Sequence, residues 1–137
     1  MKSPAFVVLL AAVAAIPLAA LRAQDSAGGT TNVSISAEGE AVYRQICQAC
    51  HMADARGGSG AGTGIPALAD NPRLADKAYA IDILVNGSGG MPWFTDMLTP
   101  QQIAAVLNHV RGHFNAYPDP VTVAEVEQAI AAAGGDS

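Results

Sequence analysis

The sequence predicts an all-α domain in which short helices and long loops enclose a large buried ligand. Apolar residues recur at helical spacing in several segments, and polar residues that can cap a helix precede them. No segment shows the alternation of apolar and polar residues that is typical of a strand. The loops between the helices are long and rich in glycine, and a bound group would explain such loops inside a compact domain.

Composition restricts the class of protein. The chain has 137 residues, 50% of them hydrophobic and 14% charged, which is enough for one small domain. Its net charge of -5 has the wrong sign for sequence-independent binding to nucleic acid, so that class is excluded. Two cysteines are too few for a disulfide-rich scaffold. A single small acidic domain remains.

Residues 1–23 have the pattern of a cleaved secretory signal peptide. Lys2 precedes an apolar stretch that ends in small residues, and a polar run follows Ala23. Cleavage there also removes Arg22, changes the net charge from -5 to -7, and predicts a periplasmic protein. A retained membrane anchor is the alternative, because about 17 apolar residues approach the lower limit for spanning a bilayer.

The exported part is expected to consist of a leader and one domain. Residues 24–35 are rich in glycine, serine, threonine and asparagine, which predicts a flexible leader. The domain is expected to occupy residues 36–134. Its first helix is predicted from Ala37 to His51, with Ser36 as the cap.

Three further helical segments follow from the same signals. In each, a polar capping residue precedes apolar residues three or four positions apart. The segments are Asn71–Asn86, a helix opened by Thr99 with the apolar face Ile103, Val106, Leu107, Val110 and Phe114, and an additional C-terminal helix over residues 122–133. Between the first two helices, Arg56–Gly64 contains five glycines in nine residues, so no regular element is expected there.

The string Cys47-Gln48-Ala49-Cys50-His51 carries the strongest functional signal. It has the spacing of the haem-attachment signature. Two thiols three residues apart on one helical turn face the same side, where they can form thioethers with a haem while His51 binds its iron. The alternatives are a structural disulfide, a thioredoxin-like redox pair, and half of a zinc site completed by His109 and His113.

With this motif in place, the segment from Ser36 to Val110 resembles the class I c-type cytochromes. Gly39, Tyr43 and Cys47 lie four residues apart, as in the first helix of that family, where the glycine and the aromatic residue pack against the C-terminal helix. Val106 and His109 are the expected partners, although the family usually has an aromatic residue where His109 stands. The resemblance implies the cytochrome c fold around one covalently attached haem c.

The segment Gly64-Ile65-Pro66-Ala67-Leu68 resembles the Gly-x-Pro-x-Leu loop of this family. The resemblance implies that the Pro66 carbonyl accepts a hydrogen bond from His51. Such a bond fixes the tautomer and the orientation of an iron-bound imidazole. Leu68 is implied to pack on the haem.

The iron needs a second ligand opposite His51, and methionine sulfur raises the reduction potential. Met91 is the expected ligand, because Gly89-Gly90-Met91-Pro92 resembles the ligand loop of the family. Met97 is the second choice and is expected to fill the core instead. His109 or His113, in the helix opened by Thr99, is the remaining alternative.

Two aromatic residues follow the expected ligand. Trp93 and Phe94 are expected to form a wall of the haem pocket. Trp93 and Arg56 are also candidates for holding the haem propionates.

With both axial positions filled, the iron offers no open site for a substrate. The sequence therefore predicts a one-electron carrier and no catalytic residues. It would pass electrons between an exported dehydrogenase and a downstream oxidase or cytochrome. The tail Asn115–Val126 resembles small cytochrome subunits that accompany periplasmic dehydrogenases, and a basic or largely apolar partner face is expected.

Two other functions are left open by the sequence. One is a thiol–disulfide oxidoreductase that uses Cys47 and Cys50. The other is a haem sensor or peroxidase in which Met91 is displaced.

Overall fold

The computed structural model describes residues 30–60 and 63–134. The predicted signal peptide and the start of the predicted leader lie outside these residues. The elements, in chain order, are α1 (Thr30–Val42), a π-helical turn (Tyr43–Cys47), α2 (Gln48–His51), β1 (Gly58–Gly60), β2 (Thr63–Ile65), a 3-10 helix (Pro72–Ala75), α3 (Lys77–Asn86), α4 (Pro100–His113) and α5 (Val123–Gly134). Over this part of the chain, none of the helices has the length and apolar character needed to cross a membrane.

The first helical segment starts earlier than expected. α1 begins at Thr30 and not at Ala37, so Ser36 lies inside the helix and is not its cap. Residues 30–35 contain neither glycine nor proline, and nothing in them stops a helix from extending. The π-helical turn and α2 then continue the same helical path, because Val42 and Gln48 both have right-handed helical backbone angles.

The later helices begin with polar capping residues, as expected, but one predicted helical segment forms two elements. The segment predicted as one helical region is a 3-10 helix followed by α3. Asp76 separates the two and caps α3, accepting from the Ala78 amide at 2.9 Å. Thr99 and Gln102 form the capping box of α4. At the start of α5, the Thr122 hydroxyl likewise accepts from the Glu125 amide at 3.2 Å.

The glycine-rich segment contains a short strand pair, so the expectation of no regular element there was wrong. β1 and β2 pair antiparallel, with Gly58 opposite Ile65 and Ser59 opposite Gly64. Main-chain hydrogen bonding between two segments close in sequence outweighs the weak strand propensity of glycine. The pair leads the chain directly into Pro66.

The core lies where α1 crosses α4. Gly39 faces α4 so closely that a Cβ built on it would lie 2.7 Å from the Ala105 carbonyl carbon and 3.0 Å from the His109 Cβ. Only a residue without a side chain permits this approach. The buried residues of α4 are Ile103, Ala104, Ala105, Val106, Leu107, Val110 and Arg111.

Polar contacts fasten the C-terminal segment to this core. Asn108 and Val121 exchange two hydrogen bonds, of 2.9 Å from the Asn108 side-chain amide and 2.7 Å from the Val121 amide. On α3, Lys77 lies 2.7 Å from the Glu125 carboxylate, and this contact, together with hydrogen bonds from Thr122, lowers the pKa of Glu125 to about 2. α5 is thereby joined to α3 as well as to α4.

Arg111 is buried and fully paired at the end of α4. Its guanidinium donates to the Leu74 carbonyl at 2.9 Å, to the Ala75 carbonyl at 3.3 Å and to both the carbonyl and the carboxylate of Asp119. A buried charge is tolerated when it is satisfied in this way. Arg111 therefore links the 3-10 helix to the chain that precedes α5.

Candidate functional site

The three residues of the attachment motif lie at the end of the first helical segment. Cys47 closes the π-helical turn and is half buried, and Cys50 in α2 is exposed. His51 ends α2 and is 6% exposed. The two cysteines are not joined in a disulfide. A helical turn thus carries two thiols and a buried imidazole in close succession.

The orientation of the His51 ring is set by the loop that follows β2. His51 Nδ1 lies 3.0 Å from the Pro66 carbonyl oxygen, the hydrogen bond that the resemblance implies. A carbonyl can only accept, so Nδ1 carries the proton and Nε2 has the free lone pair. Nε2 is therefore the ring nitrogen that can bind a metal.

Gly57 supports this hydrogen bond and was not singled out from the sequence. Its amide donates to the His51 carbonyl at 3.0 Å, and its φ is +66°. A Cβ on Gly57 would lie 2.8 Å from the Pro66 carbonyl oxygen, the atom that accepts from His51. The only signal in the sequence was membership of the glycine run, which does not distinguish this glycine from the others.

Leu68 lies directly after this loop and is half buried against the core. Its amide donates to the Ala55 carbonyl at 2.7 Å, and its carbonyl accepts from the Asn115 side chain at 2.9 Å. Both hydrogen bonds fix the path of the chain. The contact of Leu68 with a haem stays a prediction.

Met91 closes a tight turn in which it forms an isolated antiparallel bridge with Ser88. Its amide and carbonyl exchange hydrogen bonds with Ser88, each 2.9 Å long, and its side chain is half buried against the core. Gly87 lies beneath this turn with φ +75°, and a Cβ there would be 2.8 Å from the Met91 carbonyl oxygen. The backbone thus holds Met91 in one place, although its role as iron ligand stays a prediction.

The residues that follow Met91 have different environments. Phe94 is buried in the core, and its amide donates to the Leu84 carbonyl at 2.8 Å. Trp93 is 56% exposed, and its indole NH donates to Asp96 at 2.9 Å. Met97 is 57% exposed, so the expectation that it fills the core was wrong. Phe94 and Leu98 occupy the core beside it instead.

The two candidates for holding propionates both bind carboxylates in this structure. The indole NH of Trp93 donates to the Asp96 carboxylate. Arg56 donates to Asp70 at 3.3 Å in an exposed ion pair. Each side chain can therefore serve a carboxylate, and their role toward a haem stays a prediction.

His109 takes the place of an aromatic residue in the helix crossing. Its ring lies 5.5 Å from that of Tyr43 and 5.0 Å from that of His113, with which it stacks. Burial and the neighbouring His113 lower the pKa of His109. Among residues 30–60 and 63–134, no group of three or more His, Cys, Asp or Glu side chains could hold a metal ion, which counts against the zinc site.

The thiol of Cys47 is not activated. Burial raises its pKa to about 11. The thiolate is the reactive form of a redox cysteine, and such cysteines have lowered pKa values. This environment counts against a thiol–disulfide oxidoreductase.

A covalently attached haem fits these residues. The thiols can form its thioethers, and the His51 ring presents Nε2 to a metal because Nδ1 is engaged by Pro66. Soft sulfur and imidazole donors suit iron in a haem. Among the described residues, Met52, Trp93 and Met97 are large apolar side chains that are exposed, and each lies close in sequence to His51 or Met91. Their contact with a haem stays a prediction.

Comparison with known families supports the same group. Residues 36–110, more than half of the chain, match the family described as cytochrome c oxidase, cbb3-type, subunit III. No curated protein matches the chain closely enough to count as a relative. The match agrees with the helical fold, with electron transfer rather than catalysis, and with one covalently bound haem c. The chain belongs to this family of c-type cytochrome domains.

Proposed function

We propose that this protein carries single electrons between an exported dehydrogenase and a downstream oxidase or cytochrome, with its iron held between His51 and Met91. The attached haem supplies the Fe(III)/Fe(II) couple. One electron enters from the reduced donor and one leaves to the oxidised acceptor, with no bond made or broken. The hydrogen bond between His51 Nδ1 and the Pro66 carbonyl is the observation that carries the proposal.

This hydrogen bond suits a permanent ligand. It keeps the proton on Nδ1, and it makes the imidazole a stronger donor through Nε2. Because the ring is already oriented, little rearrangement is needed when the charge on the iron changes. A carrier benefits from this rigidity, since ligand movement would slow electron exchange.

The Met91 turn supports a permanent second ligand. The two hydrogen bonds to Ser88 and the close approach of Gly87 hold its backbone from two sides. A haem sensor or peroxidase needs a ligand that leaves the iron readily. The closed turn therefore favours the carrier over that alternative.

The proposed location and partners are supported by the sequence pattern and by the family description. Export to the periplasm rests on the pattern of residues 1–23. The family description names an oxidase subunit, which is compatible with an oxidase as acceptor. The predicted net charge of -7 after cleavage at Ala23, down from -5, favours a basic or largely apolar partner surface.

Met91, which is half buried, and Met97, which is exposed, provide a matched test of the second ligand. Met91→Ala is compared with Met97→Ala in the exported, haem-loaded protein. The absorption spectrum of the ferric form is measured, because methionine on ferric iron gives a weak far-red band. Met91→Ala is expected to lose this band and to lower the reduction potential, while Met97→Ala retains both.

Loss of the band in Met97→Ala alone would reassign the ligand. A wild-type ferric protein with a high-spin spectrum would support the sensor or peroxidase instead. A mature protein without visible absorption would end the proposal of a haem carrier altogether.

A further inference from the structure

Tyr43 makes a contact with the chain beyond His51 that its position in the helix crossing does not explain. It is 2% exposed, and its ring packs against those of His109 and Phe114. Its hydroxyl donates a hydrogen bond of 2.7 Å to the carbonyl of Met52. An aromatic ring alone would fill the crossing, so the hydroxyl serves a separate purpose.

Met52 has a backbone conformation that is almost confined to glycine. Its φ is +66° and its ψ is 166°, directly after His51. A side chain in this region strains the backbone, and the strain persists only where the surroundings hold it in place. The position of the strain is notable because it lies at the exit from the helix that carries His51.

Hydrogen bonds hold the peptide groups on both sides of this strained residue. The Met52 carbonyl accepts from the Ala55 amide at 3.2 Å as well as from Tyr43, and the His51 carbonyl accepts from the Gly57 amide at 3.0 Å. Of these donors, only the Tyr43 hydroxyl comes from the helix crossing. It therefore connects the core to the backbone of His51.

We propose that Tyr43 is a positioning residue for His51: its hydroxyl holds the strained Met52 peptide and thereby keeps His51 Nδ1 aimed at the Pro66 carbonyl. The inference rests on the proposed role of His51 as iron ligand. Burial raises the pKa of Tyr43 to about 12, so the phenol stays protonated and able to donate.

Tyr117 offers a matched control. Its hydroxyl also donates to a backbone carbonyl, that of Asn71, at 3.2 Å, and it is half buried. Tyr43→Phe and Tyr117→Phe each remove one hydroxyl and leave the ring in place. In the reduced haem-loaded protein, exchange of the His51 Nδ1 proton with water is measured by NMR.

Tyr43→Phe is expected to speed this exchange about fivefold, the factor that the net value of one hydrogen bond supports. Tyr117→Phe is expected to leave it unchanged, even where the two variants lose similar thermal stability. A purely structural tyrosine would change the exchange rate no more than Tyr117→Phe does at the same loss of stability. Equal exchange in the two variants would therefore overturn the role of Tyr43.

The Met52→Gly substitution tests this mechanism. It also keeps the test informative if the Tyr43→Phe protein matures poorly. Glycine adopts this backbone conformation without strain. Tyr43→Phe should therefore change the exchange rate less than twofold in the Met52→Gly background. Such a difference between the two backgrounds would show that Tyr43 and Met52 are energetically coupled. If Tyr43→Phe alone does not accumulate, recovery of the mature protein by Met52→Gly supports the proposal. Absence of recovery contradicts it.

The spectrum of the wild-type protein separates this inference from the proposed function. If wild type lacked an imidazole-ligated haem, the proposed function would fail. If that spectrum is present and Tyr43→Phe behaves like Tyr117→Phe, only the inference about Tyr43 fails.

Discussion

Two regions of the molecule each depend on a glycine that lets backbone come close, and they use it differently. At the helix crossing, Gly39 lies against Ala105 among buried side chains. At the Met91 turn, Gly87 lies beneath a loop whose neighbour Trp93 is exposed. The crossing gains its stability from packing, whereas the turn uses main-chain geometry to present one side chain. Close approach therefore stabilises the fold in one region, and in the other it fixes the backbone of Met91, the proposed iron ligand.

The largest effect is expected at the crossing. Gly39→Ala puts a Cβ against the Ala105 carbonyl, which is backbone and cannot rotate away. We expect the free energy of unfolding to fall by about 3 kcal/mol, as in other overpacked cores. Denaturant unfolding of the haem-loaded protein measures the change.

The same substitution at a glycine of α4, Gly112, is the control. Gly112→Ala meets no atom within 4 Å. It should be neutral or stabilise the protein by about 0.5 to 1 kcal/mol, because alanine favours a helix. Equal losses in the two variants would contradict the picture of a crossing limited by Gly39.

A smaller loss of stability but a larger functional effect is expected at the turn. Gly87→Ala combines a positive φ with contact to the Met91 carbonyl. We expect a cost of about 2 kcal/mol and loss of the far-red band of methionine on ferric iron. Gly90→Ala, which meets nothing within 4 Å, should retain the band. An unchanged spectrum in Gly87→Ala would break the comparison between the two regions.

The smallest effect concerns the acid stability of the crossing. Because the folded protein lowers the pKa of His109 below its ordinary 6.5, the unfolded chain binds this proton more readily, and stability falls as the pH drops below 6.5. His109→Phe retains an aromatic ring and should lose less stability in acid than wild type. Thermal unfolding above and below pH 6.5 measures this, and identical losses would exclude His109 as the cause.

The helix crossing was implied by the resemblance to the family, whose first helix has the same spacing of glycine and aromatic residue. Gly39 and Tyr43 lie one helical turn apart, and a helix brings such residues to one face. The capping boxes at Thr99 and Thr122 were readable for a similar local reason, since each involves residues three positions apart. The bond from His51 to Pro66 followed only from the resemblance to a family.

Other features depend on tertiary contacts that no local pattern reveals. Arginine is seldom buried, so nothing in the sequence marked Arg111 as part of the core. The sequence showed an aromatic residue at Tyr43 but gave no partner for its hydroxyl. Met97 was expected in the core because methionine usually packs there, but Phe94 and Leu98 are the buried core residues of this segment.

The pair of hydrogen bonds between Asn108 and Val121 has a practical consequence for anyone who shortens this chain. The family match ends at residue 110, yet these hydrogen bonds join residues on either side of that point. A fragment cut there would retain Asn108 without its partner and would lack the guanidinium that bridges to Leu74. The end of the family match at residue 110 is therefore not a position at which the protein can be divided.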